Sequence, residues 1–289
     1  MPARHLLAGR AGGWLVLALA LALGAAPPRG AAADLGTTQG YAERAEAALA
    51  SPPAGVRFLD ELEQKLIELT AAARREQAPD APPLAADPGL RRAAQAHALD
   101  MLERGYTGHV GPDGRDVGDR VAILHRGFVG GSGENIAEHE GIAIDQLAEQ
   151  IGPLASKLVD GWMASPGHRR NLLDPAYDHF GLAAAGRGDR LVIVQVFGNR
   201  QALLAEPVPL EVEEGATLPL GLAATAGPAP EKFAFAPPDT PPEALVTLEL
   251  SSDEVVVEPG EYRLQFLFPT SRVGYFEIVG GPALVVTPG

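Results

Sequence analysis

Apolar and polar positions divide the chain into two halves with different periods. From Arg57 to Arg75 the apolar side chains fall at Phe58, Leu59, Leu62, Leu66, Ile67 and Leu69, along one side of a helix. A second helix is announced by Asp87 as N-cap and Pro88 at its first position. Leu90, Ala93, Ala94, Ala98 and Met101 form its buried stripe up to Gly105. A glycine-punctuated loop from Gly105 to Gly118 follows, then a short helix over Asp119 to Arg126 and a second loop from Gly127 to Gly133. Helical spacing resumes from Leu147 to Met163, with a break expected at Gly152-Pro153 and an end at Ser165-Pro166-Gly167-His168. The runs Phe180 to Ala185 and Leu191 to Phe197, separated by Gly186 to Arg190, predict a β-hairpin.

Beyond Arg200 the helical spacing disappears. Short β-type runs recur at Val208 to Val212, Leu245 to Leu250, Glu254 to Val257, Tyr262 to Phe268, Tyr275 to Val279 and Leu284 to Val286, around a proline-rich stretch from Pro228 to Pro242. Strands so spaced predict a small antiparallel sandwich. The fold class is therefore α+β. The expected organisation is an export segment over 1–33, a linker over 34–55 with a short helix from Tyr41 to Ala50, a helical and β domain over 56–200, and an all-β domain over 201–289.

The first 33 residues have a basic start (Arg4, His5, Arg10), an apolar run from Trp14 to Leu23 and a small-residue stretch ending at Ala33, the layout of a secretory signal. The apolar run is too short to span a bilayer about 30 Å thick, and no later stretch predicts a crossing. The expected location is outside the cytoplasm, extracellular or periplasmic. The chain has no cysteine, which removes lipidation at a leading cysteine, disulfides and thiol catalysis. The net charge of −14 becomes −17 once the three arginines of the export segment leave. Nucleic acid as a partner is disfavoured by that balance, since only the short Arg74-Arg75 and Arg169-Arg170 pairs cluster positive charge.

Few local motifs carry chemistry. There is no phosphate-binding Gly-x-x-x-x-Gly-Lys, no dinucleotide fingerprint and no His-Glu-x-x-His. Gly130-Gly131-Ser132-Gly133-Glu134 misses the nucleophile elbow, because Glu134 stands where glycine is required. What remains are histidines in glycine-flanked loops. His109 and His168 sit in polar loops, whereas His97, seven residues after Leu90 on an apolar stripe, reads as a packed, hydrogen-bonded core histidine. His125, His139 and His179 show no partner in the sequence. Arg187-Gly188-Asp189 reproduces a tripeptide read by adhesion receptors, but glycine and aspartate are ordinary formers of the hairpin turn expected there.

Four stretches stand in register: Tyr106-Thr107-Gly108-His109 with Gly111-Pro112-Asp113-Gly114, Gly133-Glu134-Asn135-Ile136-Ala137, Trp162 to Leu173 around Ser165-Pro166-Gly167-His168, and Gln195-Val196-Phe197-Gly198. Together they resemble the bacterial, SCP-like branch of the CAP superfamily, the group of cysteine-rich secretory proteins, antigen 5 and pathogenesis-related 1. With Leu84, Asp87-Pro88 and Phe180-Gly181-Leu182 the likeness covers roughly 140 residues. It implies an α-β-α sandwich in which His109, Glu134 and His168 meet at one open cleft, with Asn135 and Gln195 as further candidates for its lining. It also implies that His109 and His168 can hold a divalent cation such as zinc, for which imidazole and carboxylate are suitable ligands. The second family glutamate is replaced here by Ser165, which removes one candidate general base.

Three functions stay open at this stage. One is a secreted protein whose cleft binds a small molecule, a lipid or a divalent cation. Another is a metal-assisted hydrolase, a peptidase or cell-wall enzyme, in which Glu134 is the candidate catalytic residue that shuttles the proton. The third is a non-catalytic adhesion or envelope-scaffolding module acting through residues 201 to 289.

Overall fold

Local signals place most of the helices in the computed structural model, which describes residues 36–237, 240–250 and 257–289. The export segment and most of the run Glu254 to Val257 lie outside those residues. Helix α3 (Pro88–Arg104) starts where expected: Asp87 accepts from the amides of Gly89 and Leu90, and Gly105 closes the helix in the left-handed region at φ 69°. Helix α4 (Val117–Leu124) opens on a capping box, in which Asp116 and Asp119 each accept the other's backbone N–H. Helices α1 (Thr38–Ala50) and α2 (Asp60–Gln77) precede them. Helices α5 (Ile151–Ala164) and α6 (Pro166–Leu173) follow.

These helices sandwich a mixed sheet. Strands β1 (Val56–Phe58), β2 (Ala85–Ala86), β3 (Phe128–Glu140), β4 (His179–Arg187) and β5 (Arg190–Leu204) are ordered β1-β4-β5-β3, with β2 parallel to β4 beside β1. Alternation along the strands divides the core. Ala183, Ala185, Val192, Val194 and Val196 face α1, α3 and α4, while Leu182, Ala184, Leu191, Ile193 and Phe197 face α2, α5 and α6. The expected α-β-α sandwich is present. Gly181 allows α3 to lie directly on the sheet, since a Cβ there would come within 2.0 Å of the Arg91 backbone nitrogen.

Four local expectations need correction. Residues 34–55 are more than a linker: α1 buries Tyr41, Ala42 and Ala45 in the first core. The stretch Gly127 to Gly133 is largely strand, since β3 begins at Phe128. Its glycines serve close packing, for a Cβ on Gly130 would strike the Asn199 carbonyl oxygen at 2.1 Å and one on Gly133 the Tyr177 hydroxyl at 2.2 Å. Pro153 does not break a helix; it lies in the first turn of α5, where no intrahelical N–H bond is required. Ser165 ends α5 and at once starts α6, with Pro166 in its first turn.

The C-terminal region adds a five-stranded sheet ordered β6-β11-β10-β8-β9, from β6 (Glu211–Glu213), β8 (Lys232–Ala236), β9 (Thr247–Glu249), β10 (Gly260–Pro269) and β11 (Phe276–Thr287). Strand β7 (Leu222–Thr225) pairs instead with the far end of β5. Two runs expected as separate strands, Tyr275 to Val279 and Leu284 to Val286, form the single strand β11, and β8 emerges inside the proline-rich stretch. This sheet is not insulated from the first. Its core joins Phe233, Leu264, Phe266 and Leu284 to Val129 of β3 and to Ala202 and Leu204 of β5. Arg126 reaches across to the carbonyl oxygens of Val208, Pro209 and Ala283, and Glu261 accepts from both the amide and the hydroxyl of Thr38 at the head of α1.

Candidate functional site

Strand β3 ends the order of the first sheet, so structure from either face can reach round its edge. His109 comes from the loop between α3 and α4. Arg120, on α4, grips that loop by donating to the carbonyl oxygens of His109 at 3.0 Å and Arg115 at 2.8 Å. Glu134 projects from β3 toward the same helices. Its side chain is 1% exposed, and both carboxylate oxygens are occupied. Oε1 lies 2.9 Å from His109 Nδ1, and Oε2 lies 2.9 Å from both His97 Nδ1 and Arg120 Nη2.

Burial by itself would raise the Glu134 carboxyl, but the charges of Arg120 and His97 and the hydrogen bonds from His109 and His97 outweigh it and hold the group well below the usual carboxylate range. The ion pair also keeps the buried Arg120 charged, its pKa raised against the pull of desolvation. A carboxylate only accepts hydrogen bonds, so each histidine presents Nδ1–H to it. In the neutral ring of His109 this leaves Nε2 as an acceptor on a side chain about a third of which (35%) is exposed.

His168 arrives on the first turn of α6. Burial first, and neighbouring His109 second, lower its pKa, so the neutral ring is favoured and the two imidazoles share one neighbourhood. Its carbonyl oxygen accepts from Asn135 Nδ2 at 3.1 Å. Ser165 sits at the junction of α5 and α6, just ahead of it.

The structure thus joins His109 to Glu134, sets His168 close enough to His109 to feel its ring, and separates two other candidates from them. Asn135 follows Glu134 in a strand and therefore points to the opposite face of the sheet. There it pairs with Gln195, its cross-strand partner, whose amide donates to Thr70 Oγ1, while Asn171 donates to Asn135 Oδ1 and to the Glu134 carbonyl. Asn135 and Gln195 are fully buried and support α6 from beneath. Two of the other histidines take partners of their own: His125 Nε2 lies 3.0 Å from Asp87, and His179 Nδ1 lies 2.7 Å from Asp178.

Two members of the cluster, His97 and Arg120, were not among the site residues expected from sequence. His97 is the buried histidine its position predicts, but its partner is the site's own carboxylate. The available signal was a polar residue at a core position in each of α3 and α4, with one buried acid for both to meet.

Glu134 does not fit the role of metal ligand, because its oxygens are already shared among three side chains and shielded from solvent. His109 Nε2 and His168 supply two nitrogens, short of the three protein ligands of an open catalytic zinc site. Among the described residues no group of three or more His, Cys, Asp or Glu side chains is arranged to hold a metal ion.

Part of the chain is similar to known proteins. The model of the CAP family, the cysteine-rich secretory protein family, matches residues 67–197. The chain is 31% identical over 126 residues to the uncharacterized protein YkwD of Bacillus subtilis (strain 168), a match covering 44% of this chain and 43% of YkwD. It is 34% identical over 114 residues to the uncharacterized membrane protein YlbC of the same organism, covering 39% of this chain and 28% of YlbC. A solved structure of an extracellular protein containing an SCP domain from Bacillus anthracis str. Ames is similar at 28% identity with a TM-score of 0.38, over 49% of this chain and 41% of that one. In each case the match spans less than half of the relative's length.

Proposed function

We propose, from the premise that this chain is a bacterial CAP protein whose CAP domain spans residues 67–197, that it is an exported binding protein whose paired imidazoles, His109 and His168, receive a small ligand. The observation that carries this reading is the fixed tautomer of His109. Glu134 is buried, ionised and locked by Arg120, so His109 offers an acceptor nitrogen beside the half-buried His168. In its neutral form an imidazole accepts N–H or O–H donors of an organic ligand, or coordinates a divalent cation, and two stand side by side here. Val110, 56% exposed next to His109, gives an apolar part of such a ligand a surface to lie on. Export is supported by the layout of the first 33 residues. Among the described residues no helix is long and apolar enough to cross a membrane.

The same geometry weighs against Glu134 as a proton shuttle. A carboxylate with three internal donors and a depressed pKa stays ionised and holds its neighbours in place. The test uses zinc as probe in a titration of the full chain followed by the imidazole NMR signals. Uptake that broadens the His109 and His168 signals and is lost in His109→Ala and in His168→Ala supports the reading. Equal uptake by wild type and both variants places any ligand elsewhere.

A further inference from the structure

Helix α4 carries the arginine that organises the candidate site, and it is not held in place by its own residues alone. It has eight residues, and so short a helix has little stability of its own. Val121, Ala122, Ile123 and Leu124 bury one side of it in the first core. Apolar contacts of that kind are non-directional. Where the helix sits along its axis is set by directional bonds, and at both of its ends such bonds lead to the C-terminal region.

At the first turn, Arg263 of β10 donates from Nη2 to the Gly118 carbonyl oxygen at 3.1 Å, and its Nη1 lies 3.5 Å from Asp119 Oδ1. Its Nε donates to the Gly281 carbonyl oxygen of β11 at 3.2 Å, which fastens the same guanidinium to its own sheet. At the other end, Arg126 donates to the carbonyl oxygens of Ala122 at 2.6 Å and Ile123 at 3.5 Å, the last turn of α4. It also donates to those of Val208, Pro209 and Ala283, all beyond the CAP domain. Arginine suits both joints, because its planar guanidinium presents five donors in a fixed geometry. Between the joints lies Arg120, which donates to Glu134 Oε2 at 2.9 Å and to the carbonyl oxygens of His109 at 3.0 Å and Arg115 at 2.8 Å. A shift of α4 therefore displaces the anchor of both the carboxylate and the His109 loop.

We propose that the C-terminal sheet braces the candidate site through α4, and that Arg263 and Arg126 are positioning residues for His109 and Glu134 although neither bonds to them. Residues 201–289 thereby have a task inside the molecule. That the braced geometry serves ligand uptake rests on the function proposed above; the restraint on α4 does not.

Arg263→Met in the full chain removes every donor of the joint and keeps an unbranched apolar stem. Backbone hydrogen exchange, read by mass spectrometry, should rise roughly tenfold over residues 105–124, the His109 loop and α4, and change less in β10 and β11. Phe233→Leu controls for lost stability alone, since Phe233 is fully buried in the core of the C-terminal sheet. It should speed exchange in that sheet and leave residues 105–124 near wild type. In a zinc titration followed by the His109 NMR signals, Arg263→Met should need several-fold more metal than wild type, and Phe233→Leu should not. Arg263→Lys keeps the charge beside Asp119 without the fork, so it should fall between wild type and Arg263→Met, and it serves alone if the methionine variant does not fold. Wild-type exchange over residues 105–124 in both Arg263 variants, a rise spread evenly along the chain, or an equal rise there in Phe233→Leu overturns the brace. A wild type that takes up no zinc at His109 sinks the ligand reading instead, and the exchange comparison still decides the brace.

Discussion

Two adjacent residues of β3 open onto two polar interiors built on different terms. On the face toward α3 and α4, Glu134 is a full charge held by Arg120 and two histidines; on the face toward α2 and α6, Asn135 and Gln195 form a neutral amide network with Thr70 and Asn171. Both are buried to a similar depth. The charged side exposes one product of its network, the outer nitrogen of His109, while the amide side exposes none and holds the backbone beneath His168. One cluster therefore sets the chemistry of the site, and the other sets the position of its second histidine.

The largest expected effect breaks the charged cluster. Arg120→Met leaves Glu134 buried without its counter-charge and should cost about 3–5 kcal/mol in denaturant unfolding. Adding Glu134→Gln to that variant should recover part of the loss, and a double variant as unstable as the single one would show that charge burial is not the cause. Breaking the neutral cluster should cost less. Asn135→Leu strands Gln195, Asn171 and the His168 carbonyl, for about 3 kcal/mol by the same measurement.

Acid sharpens the contrast, because the amide network contains no titrating side chain. Asp87, on the charged face, is pushed up by burial, but His125 and the amides of Leu90 and Gly89 hold it lower, at about 2. Both it and Glu134 are depressed on folding, so the stability they supply is complete above about pH 5 and drains away as the pH falls toward the folded values, with Asp87 worth about 2 kcal/mol. His168, also depressed, favours the unfolded chain as the pH drops below about 6.5. Thermal unfolding from pH 7 to pH 2 should follow that course, and Asn135→Leu should shift the curve down without changing its shape. The smallest effect belongs to His109→Ala, about 1 kcal/mol or less in stability because its side chain is partly solvated, with ligand uptake lost.

How much of this could be read in advance depended on whether the cause was local. Asp87, Pro88 and Gly105 bracket α3 with short-range chemistry, and the structure keeps both ends. The glycines from Gly127 to Gly133 look like a loop because the reason for them is distant: the Asn199 backbone and the Tyr177 ring occupy the space a side chain would need. That misreading also hid the alternation of β3. Once the stretch is a strand, Glu134 and Asn135 must face opposite ways, and the grouping of Asn135 and Gln195 with the histidines dissolves. Similarly, α1 reads as a short helix within a linker because it is alanine-rich and short of large apolar side chains, and its burial becomes visible only with the core beside it.

The grip of Glu261 on Thr38 has a consequence for the order of events in folding. The first described helix is packed in the first core but also fastened at its leading end by a residue 223 positions further along, so that tie forms only after the strand carrying Glu261 has joined its sheet. Closing so long a loop delays native contacts until most of the polypeptide is present. Synthesis and completion of the structure are thereby separated in time, and a chain interrupted before β10 would leave its opening segment without its anchor.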